Sequence, residues 1–243
     1  MGKIIFLING LKRSGKDYLS DQIIELIGGE KFMFVEVMKS ITYKTFGITM
    51  TEMDDLKNSN ASIEEIMHVS MYGGASIMLS KFIILNKFIK AMDEEFGDHP
   101  LWKNLPDNAR SDLFEVAINK NFESLTMRSW LQNFGTEACY PLFGDSIWAE
   151  LAVQKVLSTN SDIAIFSDLR FPSDYKEINQ KMRNTYKIIT IKVIDNNLPQ
   201  TDLHISETAM ADFNFDYLYD NTIKDGAEKV NSFIIESLQK YIK

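Results

Sequence analysis

A glycine-rich loop near the N-terminus carries the residue types best suited to chemistry on phosphates. It reads Gly10-Leu11-Lys12-Arg13-Ser14-Gly15-Lys16-Asp17. Glycines let the backbone wrap around phosphate oxygens, and a Lys in this place reaches the outer phosphates of a nucleotide. Asp17 stands where the usual pattern has Ser or Thr. The loop predicts a phosphate-binding site made of Gly10, Lys12, Arg13, Ser14, Gly15, Lys16 and Asp17.

The segments beside this loop support the prediction. An apolar run, Ile4–Ile8, precedes the loop, and an amphipathic stretch with Leu19, Ile23 and Ile27 follows it. Strand, loop and helix in this order place a bound phosphate at a helix start, where unpaired N–H groups and the helix dipole favour anions. The alternative is a glycine-rich turn that binds nothing.

A second group of candidates, Asp168-Leu169-Arg170, follows the short apolar run Ile163–Phe166. The run is typical of a buried parallel strand, and an acid at its end suits the Mg²⁺ site of phosphate-transferring enzymes. Asp168 as a helix cap is the alternative. Arg170 could stabilise charge on a phosphoryl group in transfer, or form a surface ion pair.

A third group begins with Arg128 and Gln132, which are four residues apart and so share one helix face. Arg binds phosphate through two parallel hydrogen bonds, and the Gln amide suits the edge of a base. Gly135 and Thr136 follow closely, and Lys39 comes after a predicted strand. These residues suit the acceptor side of a nucleotide site.

Elements of two kinds position these groups. Strands alternating with helices predict a parallel sheet covered on both faces, with ligands at the carboxyl ends of its strands. The predicted strands are 4–8, 32–37, 163–166, 187–194 and 215–219. Residues 48–125 show helical periodicity instead, with helices expected at 62–71, around 82–92 and at 107–119. The predicted domains are a core of 1–47 and 126–243, with a loop at 195–212, and a helical insertion at 48–125.

Composition narrows the function classes. The 243 residues carry a net charge of −8, which argues against binding polymeric nucleic acid. The single cysteine, Cys139, forms no internal disulfide and fits a reducing cytoplasm. No apolar run approaches the length of a membrane span. We expect a cytoplasmic protein with no membrane partner.

Taken together, the motifs resemble those of bacteriophage deoxynucleoside monophosphate kinases. The resemblance rests on Lys12–Asp17, on Leu131-Gln132 leading to Gly135-Thr136-Glu137, on Asp168–Arg170 and on His204-Ile205-Ser206-Glu207. It implies an adenylate-kinase-like α/β/α fold with a P-loop core, a parallel sheet of about five strands, an inserted monophosphate-binding region and a short lid. Animal-type phosphomevalonate kinases look similar at the P-loop and at Ser167–Arg170. They are the first alternative, and a non-catalytic nucleotide-binding module is the second.

The resemblance also implies a reaction and roles for residues. ATP is the expected phosphoryl donor, a deoxynucleoside monophosphate (dNMP) the acceptor and Mg²⁺ the cofactor, held by Asp17 and Asp168 directly or through water. For Asp17 the alternative is a carboxylate that only the dipole of the following helix favours. Host cytoplasm is expected if the chain comes from a phage, and a homodimer is left open. The implied catalytic residues are Arg13, Lys16, Arg128, Asp168 and Arg170. The implied dNMP-binding residues are Lys39, Arg128, Gln132, Gly135, Thr136, Asp168 and Arg170.

The lid departs from the wider fold, in which arginines usually close over the phosphates. His204 and Glu207 are its implied functional residues, but residues 195–212 contain no Arg or Lys. The charge that develops in the reaction must therefore be met by Lys12, Arg13, Lys16, Arg128 and Arg170, with Arg110 and Arg183 in reserve. No general base is expected, because a phosphate monoester is largely ionised at pH 7.

Overall fold

A computed structural model describes residues 2–59, 61–63, 77–119, 124–198, 208–223, 227–234 and 236. The backbone forms two compact units. The first unit comprises Met1–Val35 and Trp148–Lys243, and the second comprises Glu36–Ile147. These bounds differ from those of the predicted domains, and that division stays a prediction.

The first unit is built on a parallel sheet, as predicted. Its five strands are β1 (Lys3–Gly10), β2 (Glu30–Phe32), β3 (Ile163–Phe166), β4 (Tyr186–Ile194) and β5 (Tyr217–Asp220). They lie in the order β2-β3-β1-β4-β5, and every pair is parallel. With β1 in the middle, the loop that follows it is flanked by the ends of β3 and β4. The expected α/β class is confirmed.

Helices connect strands of the first unit and build the described part of the second. In chain order they are α1 (Lys16–Ile27), α2 (Glu36–Phe46), α3 (Met50–Asn58), α4 (Ile77–Phe96), α5 (Pro100–Lys103), α6 (Asp107–Ala117), α7 (Met127–Gln132), α8 (Cys139–Phe143), α9 (Ile147–Thr159), α10 (Pro172–Met182) and α11 (Ala227–Phe233). A π-helix, Asn133–Ala138, joins α7 to α8. Among the residues described, no helix is both long and apolar enough to cross a membrane.

Two apolar layers hold the sheet. Ile5 and Leu7 face one layer, with residues of α9 and α10, while Ile4, Phe6 and Ile8 face the other, with residues of α1 and α11. Each β1 side chain in these layers is almost fully buried. The central strand is therefore fixed from both faces, and the loop at its end starts from a rigid base.

Two strand predictions were partly wrong. β2 ends at Phe32, because the N–H groups of Phe34 and Val35 donate to the Asp168 carboxylate instead of continuing the ladder. Phe34 still packs in the core, with its ring centroid 4.6 Å from that of Phe166. Its buried apolar side chain therefore gave the sequence pattern of a strand residue. The last strand, β5, starts at Tyr217, two residues later than predicted. Just before it, Asp216 exchanges hydrogen bonds with Thr190 of β4 through side chains rather than through the backbone pairs of the sheet.

The second unit is helical in its described part and has an aromatic core. Trp130 lies at its centre, with ring centroids of Phe46, Phe88 and Phe134 between 4.9 and 5.9 Å away. On α4, which includes the helix predicted around 82–92, Ile84 is buried whereas Phe82 is 61% exposed. The helix predicted at 62–71 falls largely outside the described residues.

Candidate functional site

The glycine-rich loop has the backbone that phosphate binding requires. It leaves β1 at Gly10 and enters α1 at Lys16, so strand, loop and helix follow each other as predicted. Arg13 and Gly15 adopt positive φ angles of 70° and 94°. A non-glycine residue in this region is uncommon and concentrates at functional sites. These turns form a concave backbone that can point its amides at an anion.

Gly10 and Gly15 lie so close to neighbouring atoms that a side chain would not fit at either position. A Cβ on Gly10 would lie 2.5 Å from Ser14 Oγ and 3.0 Å from the Val193 carbonyl oxygen, and a Cβ on Gly15 would collide with Asn221 Nδ2. Ser14 is 1% exposed, and its hydroxyl finds no hydrogen-bond partner among the residues that the structure describes. The loop is therefore folded back tightly on itself, and only glycine fits at its two ends.

Lys16 lies at the first position of α1 and reaches back over the loop. Its Nζ donates to the Leu11 carbonyl oxygen at 3.2 Å. Lys12 and Arg13 are exposed on the same loop. Three cationic side chains thus lie on a loop whose backbone suits anions, and phosphate binding by this segment stays a prediction.

The ends of β1 and β3 bring the second group of candidates to this loop. β3 ends opposite Leu7, three residues before β1 does. The chain then continues beside β1: Leu169 N donates to the Ile8 carbonyl at 3.2 Å, and Asn9 Nδ2 donates to the Leu169 carbonyl at 2.7 Å. Ser167 and Asp168 are thereby held next to the start of the loop.

Asp168 is half-buried and contacts the backbone after β2. Oδ1 accepts a hydrogen bond from Phe34 N at 3.2 Å, and Oδ2 accepts one from Val35 N at 3.4 Å. This contact differs from both predicted roles of Asp168, which were Mg²⁺ binding and capping of a helix. The structure thus gives Asp168 a role in shaping the β2–α2 connection, and its part in metal binding stays a prediction.

Asp17 contacts a residue that the sequence analysis did not single out for chemistry. Ser167 Oγ donates to Asp17 Oδ1 at 2.7 Å, and Lys31 Nζ lies 3.6 Å from the same oxygen. The Asp17 side chain is 69% exposed. The carboxylate is thus held on one side and open to solvent on the other.

Asp174 is a buried acid that the sequence analysis missed. It accepts hydrogen bonds from the N–H groups of Phe171, at 3.0 Å, and Arg170, at 3.4 Å. Burial raises the pKa of Asp174 to about 7; these hydrogen bonds oppose the shift, and the nearby charge of Asp168 adds to it. Its position at the third residue of α10, after Pro172, is the sequence signal for such a cap.

Asn221 is a second residue that was missed. It follows β5, its Nδ2 donates to the Ser14 carbonyl at 2.8 Å, and its backbone N donates to the Ile194 carbonyl at 2.7 Å. The side chain therefore fixes the backbone of the glycine-rich loop from the end of β5, which β4 separates from β1 in the sheet. No local pattern marks it, because its partner lies 207 residues away in the sequence.

The predicted acceptor residues other than Asp168 and Arg170 belong to the second unit. Arg128 and Gln132 are exposed on α7, while Trp130 and Leu131 of the same helix are buried. The helix then widens into the π-helix that contains Gly135 and Thr136, and Thr136 Oγ1 donates to the Gln132 carbonyl at 2.7 Å. Such π-helical turns are frequent at functional sites. The structure thus keeps these four residues in one continuous helical segment.

The remaining candidate cations are placed differently. Lys39, on α2, is 15% exposed and lies 3.9 Å from Asp54 Oδ1. Arg110 donates to Asp93 and to the carbonyls of Leu105 and Trp102, which indicates a structural role. Arg183 follows the last turn of α10. His204 and Glu207 of the expected lid lie outside the described residues.

The described residues contain no group of three or more His, Cys, Asp or Glu side chains that could hold a metal ion. Mg²⁺ in phosphate-transferring sites is usually bound by one or two carboxylates together with substrate phosphates. Asp17 and Asp168, beside the glycine-rich loop, fit that kind of site rather than an all-protein cage.

Comparison with known proteins gives one family. A family model described as deoxynucleotide monophosphate kinase matches residues 3–230, which include parts of both units. No curated protein matches the chain. The match confirms the kinase family that the sequence motifs indicated.

Proposed function

The chain belongs to the deoxynucleotide monophosphate kinase family, and from that premise we propose that it transfers the γ-phosphoryl group of ATP to a deoxynucleoside 5'-monophosphate. The acceptor phosphate oxygen bonds to the γ-phosphorus in line as the bond from that phosphorus to the β–γ bridging oxygen breaks. The products are ADP and a deoxynucleoside diphosphate, a precursor for DNA synthesis. The observation that carries the proposal is the family match over residues 3–230.

The first unit is proposed to bind ATP. The loop has glycines where a Cβ would not fit, positive φ angles that turn amides inward, and a lysine at the helix start. These features suit the β- and γ-phosphates. Asp17 and Asp168 are the proposed Mg²⁺ side of the site, and the ion, when bound, supplies positive charge that neutralises the phosphates.

The second unit is proposed to bind the dNMP. Arg128 has the guanidinium that pairs with a phosphate, and Gln132 presents an amide on the same exposed helix face for the base. Gly135, Thr136 and Lys39 are the further proposed contacts. A protein base is not needed, since the acceptor phosphate is already largely ionised at neutral pH.

Catalysis is proposed to come from positioning and charge. Without lid cations at 195–212, the charge on the transferred group would be met by Arg13, Lys16, Arg128 and Arg170, assisted by Lys12. A cytoplasmic location stays a prediction beside this proposal, and the oligomeric state is left open.

The test is a coupled assay of ATP conversion to ADP, with each of the four dNMPs, the matching ribonucleotides and phosphomevalonate as acceptors. We expect ADP formation that requires a dNMP and Mg²⁺, with one deoxynucleoside diphosphate formed per ADP. Turnover of phosphomevalonate alone would support the alternative kinase. ATP binding without acceptor-dependent turnover would make the chain a nucleotide-binding module and overturn the proposal.

The same preparation with Lys16→Ala provides the control for contaminating kinases. Any ADP formed at an equal rate by wild type and variant does not come from this site. Product identity by chromatography then separates phosphoryl transfer to the dNMP from simple ATP hydrolysis.

A further inference from the structure

The pair formed by Ser167 and Asp17 joins two functionally important positions of the first unit. Ser167 is the first residue after β3, is 3% exposed, and donates its hydroxyl to Asp17 Oδ1 at 2.7 Å. Asp17 directly follows the loop lysine on α1. The two residues are 150 positions apart in the sequence, so the contact exists only because β1 and β3 are neighbours.

The residue types at these positions are the reverse of the usual arrangement. In phosphate-binding loops of this kind, Ser or Thr follows the lysine and provides a hydroxyl for Mg²⁺, while an Asp at a neighbouring strand end provides the carboxylate. Here the loop provides a carboxylate, and the strand end provides, next to Asp168, a hydroxyl that contacts it. A hydroxyl and a carboxylate thus still meet at this point, with their positions exchanged.

We propose that Ser167 is a positioning residue that holds the Asp17 carboxylate in the orientation needed to bind Mg²⁺. The inference rests on the proposed function, because it concerns the metal that accompanies ATP. Mg²⁺ demands near-ideal octahedral geometry, and an exposed Asp on the first turn of a helix has several rotamers. A hydrogen bond from a buried hydroxyl selects one of them.

The surroundings of Asp17 agree with this role. Both the Ser167 hydroxyl and Lys31 Nζ contact Oδ1, and the side chain remains 69% exposed, so the carboxylate keeps a solvent-facing side for the ion. Lys31 also pairs with Asp21 at 2.8 Å, so its charge is shared and Asp17 is not neutralised by it alone.

The neighbouring Asp168 makes contacts different from those of the Ser167–Asp17 pair. Its two oxygens are directed at the N–H groups of Phe34 and Val35, at 3.2 and 3.4 Å. These hydrogen bonds shape the β2–α2 connection, whereas Asp17 faces solvent beside the loop. Asp17 is therefore the carboxylate that the geometry assigns to direct contact with the ion.

The experiment measures the affinity of a non-hydrolysable ATP analogue by calorimetry, once with excess Mg²⁺ and once with EDTA. The ratio of the two affinities is the gain due to the metal. Ser167→Ala should lower this gain about tenfold, as is common when the partner of a metal-binding side chain is removed, and should leave the affinity in EDTA unchanged. Ser167→Thr keeps a hydroxyl and should restore the gain.

Ser161→Ala is the matched control, since it also removes a buried hydroxyl of the first unit, one that donates to the Ile163 carbonyl at 2.9 Å. It should leave both affinities unchanged. Asp17→Asn should lose the metal gain as Ser167→Ala does, and because Asp17 is exposed this variant tests the proposal even if Ser167→Ala does not fold. In the Asp17→Asn background, Ser167→Ala should have no further effect on the gain.

The outcomes separate the two proposals. A wild-type protein that fails to bind the analogue in either condition overturns the proposed function and this inference with it. Normal wild-type binding with an unchanged metal gain in Ser167→Ala, or in Asp17→Asn, overturns the inference alone. Equal losses in magnesium and in EDTA would show that Ser167 supports the loop rather than the metal, which also overturns it.

Discussion

In the first unit Asp168 and Asn221 are hydrogen-bonded to backbone that follows other strands of the sheet, whereas in the second unit Arg128 and Gln132 stand exposed on a short helix. Asp168 contacts the backbone after β2, and Asn221 holds the glycine-rich loop from the end of β5. The inner face of α7, by contrast, carries Trp130 in an aromatic core, and its outer face is left to solvent.

This difference follows from how the two units are built. A parallel sheet gathers the carboxyl ends of its strands at one edge, so polar residues there meet each other and the backbone. A helical unit separates its packing face from its exposed face on the same helix. Substitution of Asp168, whose carboxylate is hydrogen-bonded to backbone of the first unit, is therefore expected to disturb folding, whereas substitution of Arg128 or Gln132 is expected to affect binding alone.

The largest expected effect tests the loop itself. Lys16→Ala should lower kcat about 10²- to 10³-fold, because a cation directed at the charge of the transition state is lost. The protein should stay folded, since the removed hydrogen bond to Leu11 is made by a half-buried surface loop. Steady-state kinetics and circular dichroism measure the two quantities. Lys176→Ala, an exposed lysine on α10, is the control and should leave both unchanged.

The next effect tests the second unit. Arg128→Ala should raise KM for the dNMP tenfold or more, because a hydrogen bond to a charged phosphate contributes about 1.5–3 kcal/mol. KM for ATP and the melting temperature should not move, since Arg128 is exposed. A change confined to KM for ATP would contradict the assignment of α7 to the acceptor.

Asp168→Asn tests whether site residues of the first unit also support the fold. The amide nitrogen of Asn cannot accept the hydrogen bond from Val35 N, so an N–H group loses its acceptor at a cost of about 1–3 kcal/mol in the free energy of unfolding. Urea unfolding measures this. Asp162→Asn, at the exposed residue directly before β3, should cost less than about 0.5 kcal/mol. Equal stability of the two variants would remove the contrast between the units.

Much of the fold was predictable because its signals are local. The glycine spacing, the apolar run of β1 and the four apolar residues of β3 each mark an element within a few positions, and the parallel order of the sheet follows from their alternation with helices. The π-helix after α7 had no such signal.

Site details that depend on distant pairs were not predictable. The contacts of Ser167 with Asp17 and of Asn221 with Ser14 join residues 150 and 207 positions apart, and a single sequence does not indicate which side chains meet across a sheet. Phe34 misled the strand prediction for a related reason. Its apolar side chain packs in the core, but its backbone N–H donates to Asp168 instead of joining the sheet.

The smallest effect compares two acids at the same helix position in the two units. Asp174 and Glu52 are each the third residue of a helix, α10 and α3, and each accepts hydrogen bonds from the residue before that helix. Burial raises the pKa of Asp174 to about 7, whereas hydrogen bonds from Thr49 lower the pKa of the exposed Glu52. The stabilisation from these two capping carboxylates therefore changes with pH in opposite directions.

A raised pKa means that the folded protein holds the Asp174 proton more tightly than the unfolded chain does. Its contribution to stability is complete only below the ordinary pKa of an Asp, 3.8, shrinks as the pH rises from there to about 7 and levels off above, with a fall of about 1 kcal/mol between pH 6 and 8. Wild-type stability should therefore fall over this interval relative to Asp174→Asn, which has no proton to lose. For Glu52→Gln the difference from wild type should be constant between pH 6 and 8 and shrink only in acid, because the lowered pKa of Glu52 gives stability that disappears as the pH falls through it. Urea unfolding at three pH values measures both, and parallel curves for wild type and Asp174→Asn from pH 6 to 8 would show that the buried carboxyl is already ionised.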